Sequence, residues 1–177
     1  EVWFLENISR AEKRLYGLFK RASDIILALI GSVFFLILFP IAAPAIKLNS
    51  TGPIFYRQKR VGQGGRIFEV IKFRTMVRNA EQNRAVWAEK NDQRVTGFGR
   101  FLRKTRLDEL PQVWNILKGE MSIVGPRAER PEFVEKLKKQ IPFYEERLLI
   151  RPGLSGWAQI NYGKDLNSND TKEKLQY

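Results

Sequence analysis

Between Ile25 and Ile46 the segment "IILALIGSVFFLILFPIAAPAI" runs for 22 residues without a charge. That length is enough to cross a hydrocarbon core about 30 Å thick. One transmembrane helix is therefore one reading. Two features argue for another. Pro40 and Pro44 each lack an amide donor and crowd the preceding turn, so they break or kink a helix. A helix ending at Phe39 would reach only roughly 22 Å. Basic residues also flank both ends, "KRLYGLFKR" before and Lys47, Arg57, Lys59 and Arg60 after. Lys and Arg mark the cytoplasmic side. A re-entrant, monotopic anchor that dips in, breaks near the prolines and returns satisfies both flanks. A buried helix of a soluble core is the third possibility. Upstream, Ser9 and Glu12 have capping-box spacing. Leu15, Leu18, Phe19 and Ala22 follow at helical spacing among Lys13, Arg14, Lys20 and Arg21. This pattern suits either an interfacial amphipathic helix or a helix packed on protein.

The remaining composition limits the chemistry. The 177 residues suffice for one core-bearing domain, and the chain begins at Glu1, as expected of a fragment or processed product. Lys and Arg outnumber Asp and Glu by 12, which favours anionic partners. Cysteine and histidine are both absent, so thiolate nucleophiles, thiolate metal sites and imidazole bases are excluded. Catalysis must rest on carboxylates, Lys, Arg, hydroxyls and backbone amides, with any metal a hard cation held by oxygen.

"PIFYRQKRVGQGGRIFEVIKFRTM", Pro53 to Met76, reads as a β-hairpin around Gly62-Gln63-Gly64-Gly65. The glycines serve the turn more readily than they cradle phosphate. Period-two alternation puts Phe68, Val70, Lys72 and Arg74 on one face. Lys72 and Arg74 could together suit an anion, or both could be solvated. Val77 to Gly119 is helical in composition, interrupted near "NDQRVTGFG" and ending at Gly119. Pro111 confines the start of the last helix to the vicinity of Asp108 or Glu109. Asp108 then reads as a helix cap and Glu109 as a first-turn acid. The same physics admits a second role. Among Arg100, Arg103, Lys104 and Arg106, an ionised Asp108 could attack phosphorus, given cations or a metal to offset repulsion between anions. Adjacent helical residues diverge by about 100°, so the two carboxylates are expected to take separate roles. Arg127 and Arg151 each sit beside proline and glycine, in "SIVGPRAERPEF" and "LLIRPGLSGWAQIN". Such loops can hold an arginine fork toward phosphate, or serve only as turns.

Taken in order, "KR-x-x-D-I-I-L-A-L", "GPIFYRQKRVG", "KFRTM", "GRFLRKTRLDELPQVWNILKGEMSIVGPR" and "RPGLSGWAQIN" resemble the bacterial sugar transferase family. These are monotopic polyprenyl-phosphate phosphoglycosyltransferases that initiate exopolysaccharide and O-antigen assembly. The resemblance implies transfer of sugar 1-phosphate from a UDP-sugar to polyprenyl phosphate with release of UMP. It assigns Asp108 as nucleophile and metal ligand, Glu109 as the second member of the dyad and Mg²⁺ as cofactor. It assigns phosphate binding to Lys72, Arg103, Arg127 and Arg151. Lys20, Arg21 and Asp24 would open the anchor, and Pro40 would break it. The fold it implies is α/β in the α+β sense, mainly helical with a short antiparallel hairpin. Residues 1–22 would form an interfacial helix, 23–48 the re-entrant anchor and 49–177 a cytosolic catalytic domain truncated at its C-terminus. Bacterial inner-membrane lipid at the cytoplasmic face is the expected surroundings, with homo-oligomers possible and nucleic acid not a partner. Three positions depart from the usual pattern: no proline lies near Leu36-Ile37, Ala128 replaces a proline, and Arg106 replaces a serine. The competing function is a non-catalytic basic module binding anionic lipid, which leaves "LDELPQVWN…VGPR" unexplained.

Overall fold

The computed structural model of the chain describes residues 10–78, 80 and 92–162. Ser9 of the capping box, most of the helical reading between Val77 and Lys90, and the chain beyond Tyr162 lie outside them. A single helix, α1 (Arg10–Asn49), takes up 40 residues, about 60 Å at 1.5 Å each. The antiparallel hairpin follows as β1 (Phe55–Val61) and β2 (Ile67–Phe73), in register from Phe55↔Phe73 to Val61↔Ile67. Its connection is the 3₁₀ turn Gln63–Gly65, where Gly64 and Gly65 take φ of 64° and 77°; this is the turn role expected of those glycines. Helix α2 (Gly97–Thr105), a 3₁₀ segment (Leu107–Gln112) and α3 (Val113–Lys118) lead to β3 (Ser122–Val124). Helix α4 (Pro131–Gln140), a second 3₁₀ segment (Tyr144–Leu149), β4 (Gly153–Ser155) and α5 (Trp157–Tyr162) complete the described part. β3 and β4 pair in parallel, an element absent from the sequence reading.

Helix α1 is organised by its faces. Ala28, Phe35, Ala42 and Ile46 are buried along one side. Phe35 stacks with Phe55 and Phe73 of the hairpin and Phe39 with Phe55, with ring centroids 5.8–6.3 Å apart. The other side is bare: Ile26, Leu29, Ile30, Val33, Phe34, Ile37 and Ile41 are all at least half exposed. Only 17% of the most apolar window is buried within the protein, so the buried-core reading fails. Leu15, Leu18 and Phe19 are exposed as well, so no described residue covers this stretch.

The expected break at the prolines is not seen; α1 runs through both. Pro40 and Pro44 lie on the exposed side. Each removes one i→i−4 bond there, while the packed face retains its contacts through Phe39, Ala42 and Ile46. Both ends of the helix are fastened to the same domain. Near the start, Arg21 donates to the Ile116 and Leu117 carbonyls at 2.6 and 2.8 Å, satisfying the C-terminus of α3. Asp24 accepts from the Ile123 amide, Ser122 Oγ and Lys20 Nζ at 2.9–3.0 Å. At the far end, Arg74 donates to the Ser50 and Thr51 carbonyls at 2.5 and 3.1 Å.

Candidate active site

Strand alternation delivers the first functional side chain. On one face of β2, Phe68 and Val70 are buried with Ala28, Val113, Ile116 and Met121. The next residue on that face, Lys72, emerges at the core's edge, where its Nζ meets Glu109 Oε1 at 2.6 Å. Lys72 is thus neither solvated nor, as the alternation suggested, partnered with Arg74 around an anion. Arg74 is committed to the end of α1. The outer edge of β2 is held by Asn115, whose side chain accepts from the Ile71 amide at 3.2 Å and donates to the Glu69 carbonyl at 2.7 Å. A fully buried amide here acts as a short surrogate strand and ties α3 to the strand carrying Lys72.

The acidic pair lies in the 3₁₀ segment rather than in an α-helical first turn. Pro111 has no amide to close an α-helical bond to Leu107, and the chain tightens instead. Arg106 precedes it with φ 61° and ψ 11°. A left-handed non-glycine residue costs roughly 1–2 kcal/mol, so strain sits two residues from Asp108. Asp108 is not a cap: the segment has no side-chain capping bond, and its N-terminal flank is Arg106. With about three residues per 3₁₀ turn, neighbours diverge by about 120°, and the carboxylates separate. Glu109 turns to Lys72. Asp108 is buried, and its Oδ1 has no hydrogen-bond partner.

The electrostatics follow this division. Burial raises the Asp108 carboxyl above its usual range, and the adjacent Glu109 charge raises it further, against Lys72, Arg103 and Arg106. Burial acts the same way on Glu109 and is its largest single influence, but the Lys72 ammonium together with Arg127 and Arg106 turns the net direction down. Lys72 is lowered by burial, with Glu109 opposing.

The arginine loops are zipped together beside this pair. Ser122 and Gly125 amides donate to the Pro152 and Ser155 carbonyls, and the Gly153 amide to that of Pro126, all at 2.9 Å. Gly125 and Gly153 are required by close approach, since a Cβ on either would come within 2.4 Å of backbone atoms. Arg127 lines a shallow cleft with Arg60, Lys72, Glu109, Gln112, Met121 and their neighbours. Arg103 faces Asp108 electrostatically and donates to Thr75 Oγ1 at 2.8 Å. Arg151 is half-buried and is not part of the cleft wall. Lys20, Arg21 and Asp24 serve the α1–domain junction, and Pro40 lies on the bare face of α1.

Arg60, Gln112 and Asn115 were missed. Arg60 could be found only from the hairpin register, which sets it opposite Phe68. Among the described residues no group of three or more carboxylates is gathered as a metal cage. One buried, unpartnered Asp108 oxygen is nonetheless the kind of ligand that a hard cation shared with substrate phosphates takes.

A family model for bacterial sugar transferases matches residues 15–177. An Aeromonas hydrophila UDP-N-acetylgalactosamine-undecaprenyl-phosphate N-acetylgalactosaminephosphotransferase is 45% identical over 163 residues, covering 92% of this chain and 38% of the relative. A Xanthomonas campestris UDP-glucose:undecaprenyl-phosphate glucose-1-phosphate transferase is 42% identical, over 89% and 33%. The exopolysaccharide production protein ExoY of Sinorhizobium fredii is 36% identical, over 94% and 79%. The chain thus spans between a third and two-fifths of the Aeromonas and Xanthomonas proteins. It belongs to the bacterial sugar transferase family.

Proposed function

We propose that the chain transfers sugar 1-phosphate from a UDP-sugar to polyprenyl phosphate at the cytoplasmic face of a bacterial inner membrane, releasing UMP. The relatives' names, which specify undecaprenyl-phosphate sugar phosphotransferases, support the acceptor and the reaction class. The observation that carries the reading is Asp108: a buried carboxylate with an unpartnered oxygen, beside a pre-formed Lys72–Glu109 pair in a cationic cleft. In the first step an Asp108 oxygen attacks the phosphorus bearing the sugar. The bond to the bridging oxygen breaks and UMP leaves with that electron pair. An oxygen of polyprenyl phosphate then attacks the same phosphorus, giving a polyprenyl diphosphate sugar and freeing the carboxylate. Lys72 and Arg127 bind the donor's phosphates, and Arg103 lowers the repulsion that Asp108 meets. Glu109 holds the Lys72 ammonium in place. Asp108 would hold a Mg²⁺ ion, whose chemistry there would be neutralisation of phosphate charge.

The fastening of α1 at both ends supports the monotopic reading. About 39 Å of helical rise separates Asp24 from Ser50 along the chain, yet both bind one domain, and the face between them packs on it. A helix crossing a bilayer would draw that domain into the hydrocarbon with it. The bare opposite face is what enters lipid.

The test is intact-protein mass after incubation with Mg²⁺ and a panel of UDP-sugars, without polyprenyl phosphate. The expected result is a sugar-phosphate adduct with one donor, absent in Asp108→Asn. No adduct with any donor, from folded protein extended to the length of its relatives, would sink the covalent mechanism.

A further inference from the structure

Arg60 has no role in the reaction above, although it forms part of the cleft wall. Its side chain is 13% exposed. One terminal nitrogen donates to the Ala128 carbonyl at 2.9 Å and the other to Gln58 Oε1 at 2.5 Å. Both forks are engaged within the protein, so Arg60 is poorly placed to grip substrate. The first holds the segment that follows Arg127, and the second ties the guanidinium back to β1. The next residue of β1 repeats the grip, with the Val61 amide donating to the Glu129 carbonyl at 2.9 Å. Glu129 is itself buried, and its two oxygens are divided: Oε2 lies 3.6 Å from Arg60 and Oε1 lies 3.8 Å from Arg127 Nε. From the other side, Arg147 donates to the Arg127 carbonyl at 2.9 Å, and Gly153 bridges to Arg127. Unlike Arg60, Arg127 has a side chain 37% exposed toward the cleft.

We propose that Arg60 is a positioning residue for Arg127: it clamps the Ala128–Glu129 backbone to the end of β1, and its charge holds the Glu129 carboxylate that orients the Arg127 guanidinium. The assignment rests on the reading of this cleft as the donor's phosphate site. A fork reaching two acceptors at once is something lysine cannot reproduce, and a fixed guanidinium binds phosphate without the entropy cost of ordering it.

A double-mutant cycle read by UDP binding tests this, on the full chain in nanodiscs. Arg60→Met and Arg127→Met are each expected to weaken UDP binding about tenfold, a typical cost for one charge-assisted contact. The double variant is expected to bind within about twofold of Arg127→Met alone, because residues acting through one another are non-additive. Multiplying losses, or Arg60→Met binding like wild type, would overturn the proposal. Arg60→Lys should restore less than half of the lost affinity, and full rescue would also overturn it. Should Arg60→Met not fold, Glu129→Gln provides the second cycle, since it keeps the Val61 backbone bond. In unliganded ¹⁵N-labelled protein the Arg127 Nε–H resonance should shift or broaden in Glu129→Gln; an unchanged resonance refutes the orienting role. Wild type that fails to bind UDP defeats the functional reading itself, whereas UDP binding with additive losses defeats the Arg60 assignment alone.

Discussion

Two buried aspartates show how the fold uses its carboxylates. Asp24, at the junction of α1 with β3, gives one oxygen to three donors: the Ile123 amide, Ser122 Oγ and Lys20. Asp24 Oδ2 and Asp108 Oδ1 are both buried without a partner, so the contrast lies in the three donors gathered on the other Asp24 oxygen and in the charges around Asp108, where Glu109 stands against Lys72, Arg103 and Arg106. A buried polar group without a partner costs about 1–3 kcal/mol, a cost that both sites carry. At the first site the chain joins a helix with a bare apolar face to its domain. At the second, Asp108 is the nucleophile of the proposed reaction, two residues from the left-handed Arg106.

The largest expected effect is on Asp108. Asp108→Asn should lower transfer by on the order of 10⁴-fold or more, as removal of a nucleophile does, while the mass adduct disappears. Its folded stability should equal or exceed wild type near neutral pH. The raised carboxyl means that the Asp108 contribution is favourable below the ordinary value of 3.8 and is lost as pH rises through the higher folded value. The stability gap between the Asp108→Asn variant and wild type should therefore narrow on acidification, as chemical denaturation at several pH values would show. A clear destabilisation by Asp108→Asn at pH 7 would erase the contrast between the two aspartates.

Lys72→Met comes next. It strands Glu109 as a buried, unpaired charge, with an expected loss of about 3 kcal/mol, read by denaturant midpoint. Lys72→Met with Glu109→Gln should recover a large part of that loss. Additive losses would mean that the 2.6 Å pair is not the reason both residues are buried.

Asp24→Ala should cost about 2–3 kcal/mol by leaving the Ile123 amide and its neighbours unpaired. Hydrogen exchange at Ile123 should accelerate before exchange in β2 does. Simultaneous acceleration in both would show that α1 and the cleft form one cooperative unit.

The smallest effect is the acid limb of the rate. Activity should fall as Asp108 is protonated, at a pH above the ordinary aspartate range, because burial and Glu109 favour the neutral form. Glu109 is shifted the opposite way by Lys72, so it stays ionised to lower pH. In Glu109→Gln the acid limb should move to lower pH, provided that Lys72 remains near Asp108.

Local pattern was enough to read the apolar segment, the hairpin with its glycine turn, the divergence of Asp108 from Glu109, and the family. Each rests on neighbours along the chain: a charge-free run, period-two alternation, a proline near a helix start, and motifs in fixed order. The remainder came from packing. That Lys72 turns to Glu109 while Arg74 caps α1, that Asp108 caps nothing, and that α1 passes through its prolines all depend on which face meets which neighbour. Arg60, Glu129 and Arg127 are brought together by β1 register and the zipped loops. Contacts between residues tens of positions apart leave no periodic trace in one chain, because periodicity reports what a segment does with its own faces and not which surface it finds.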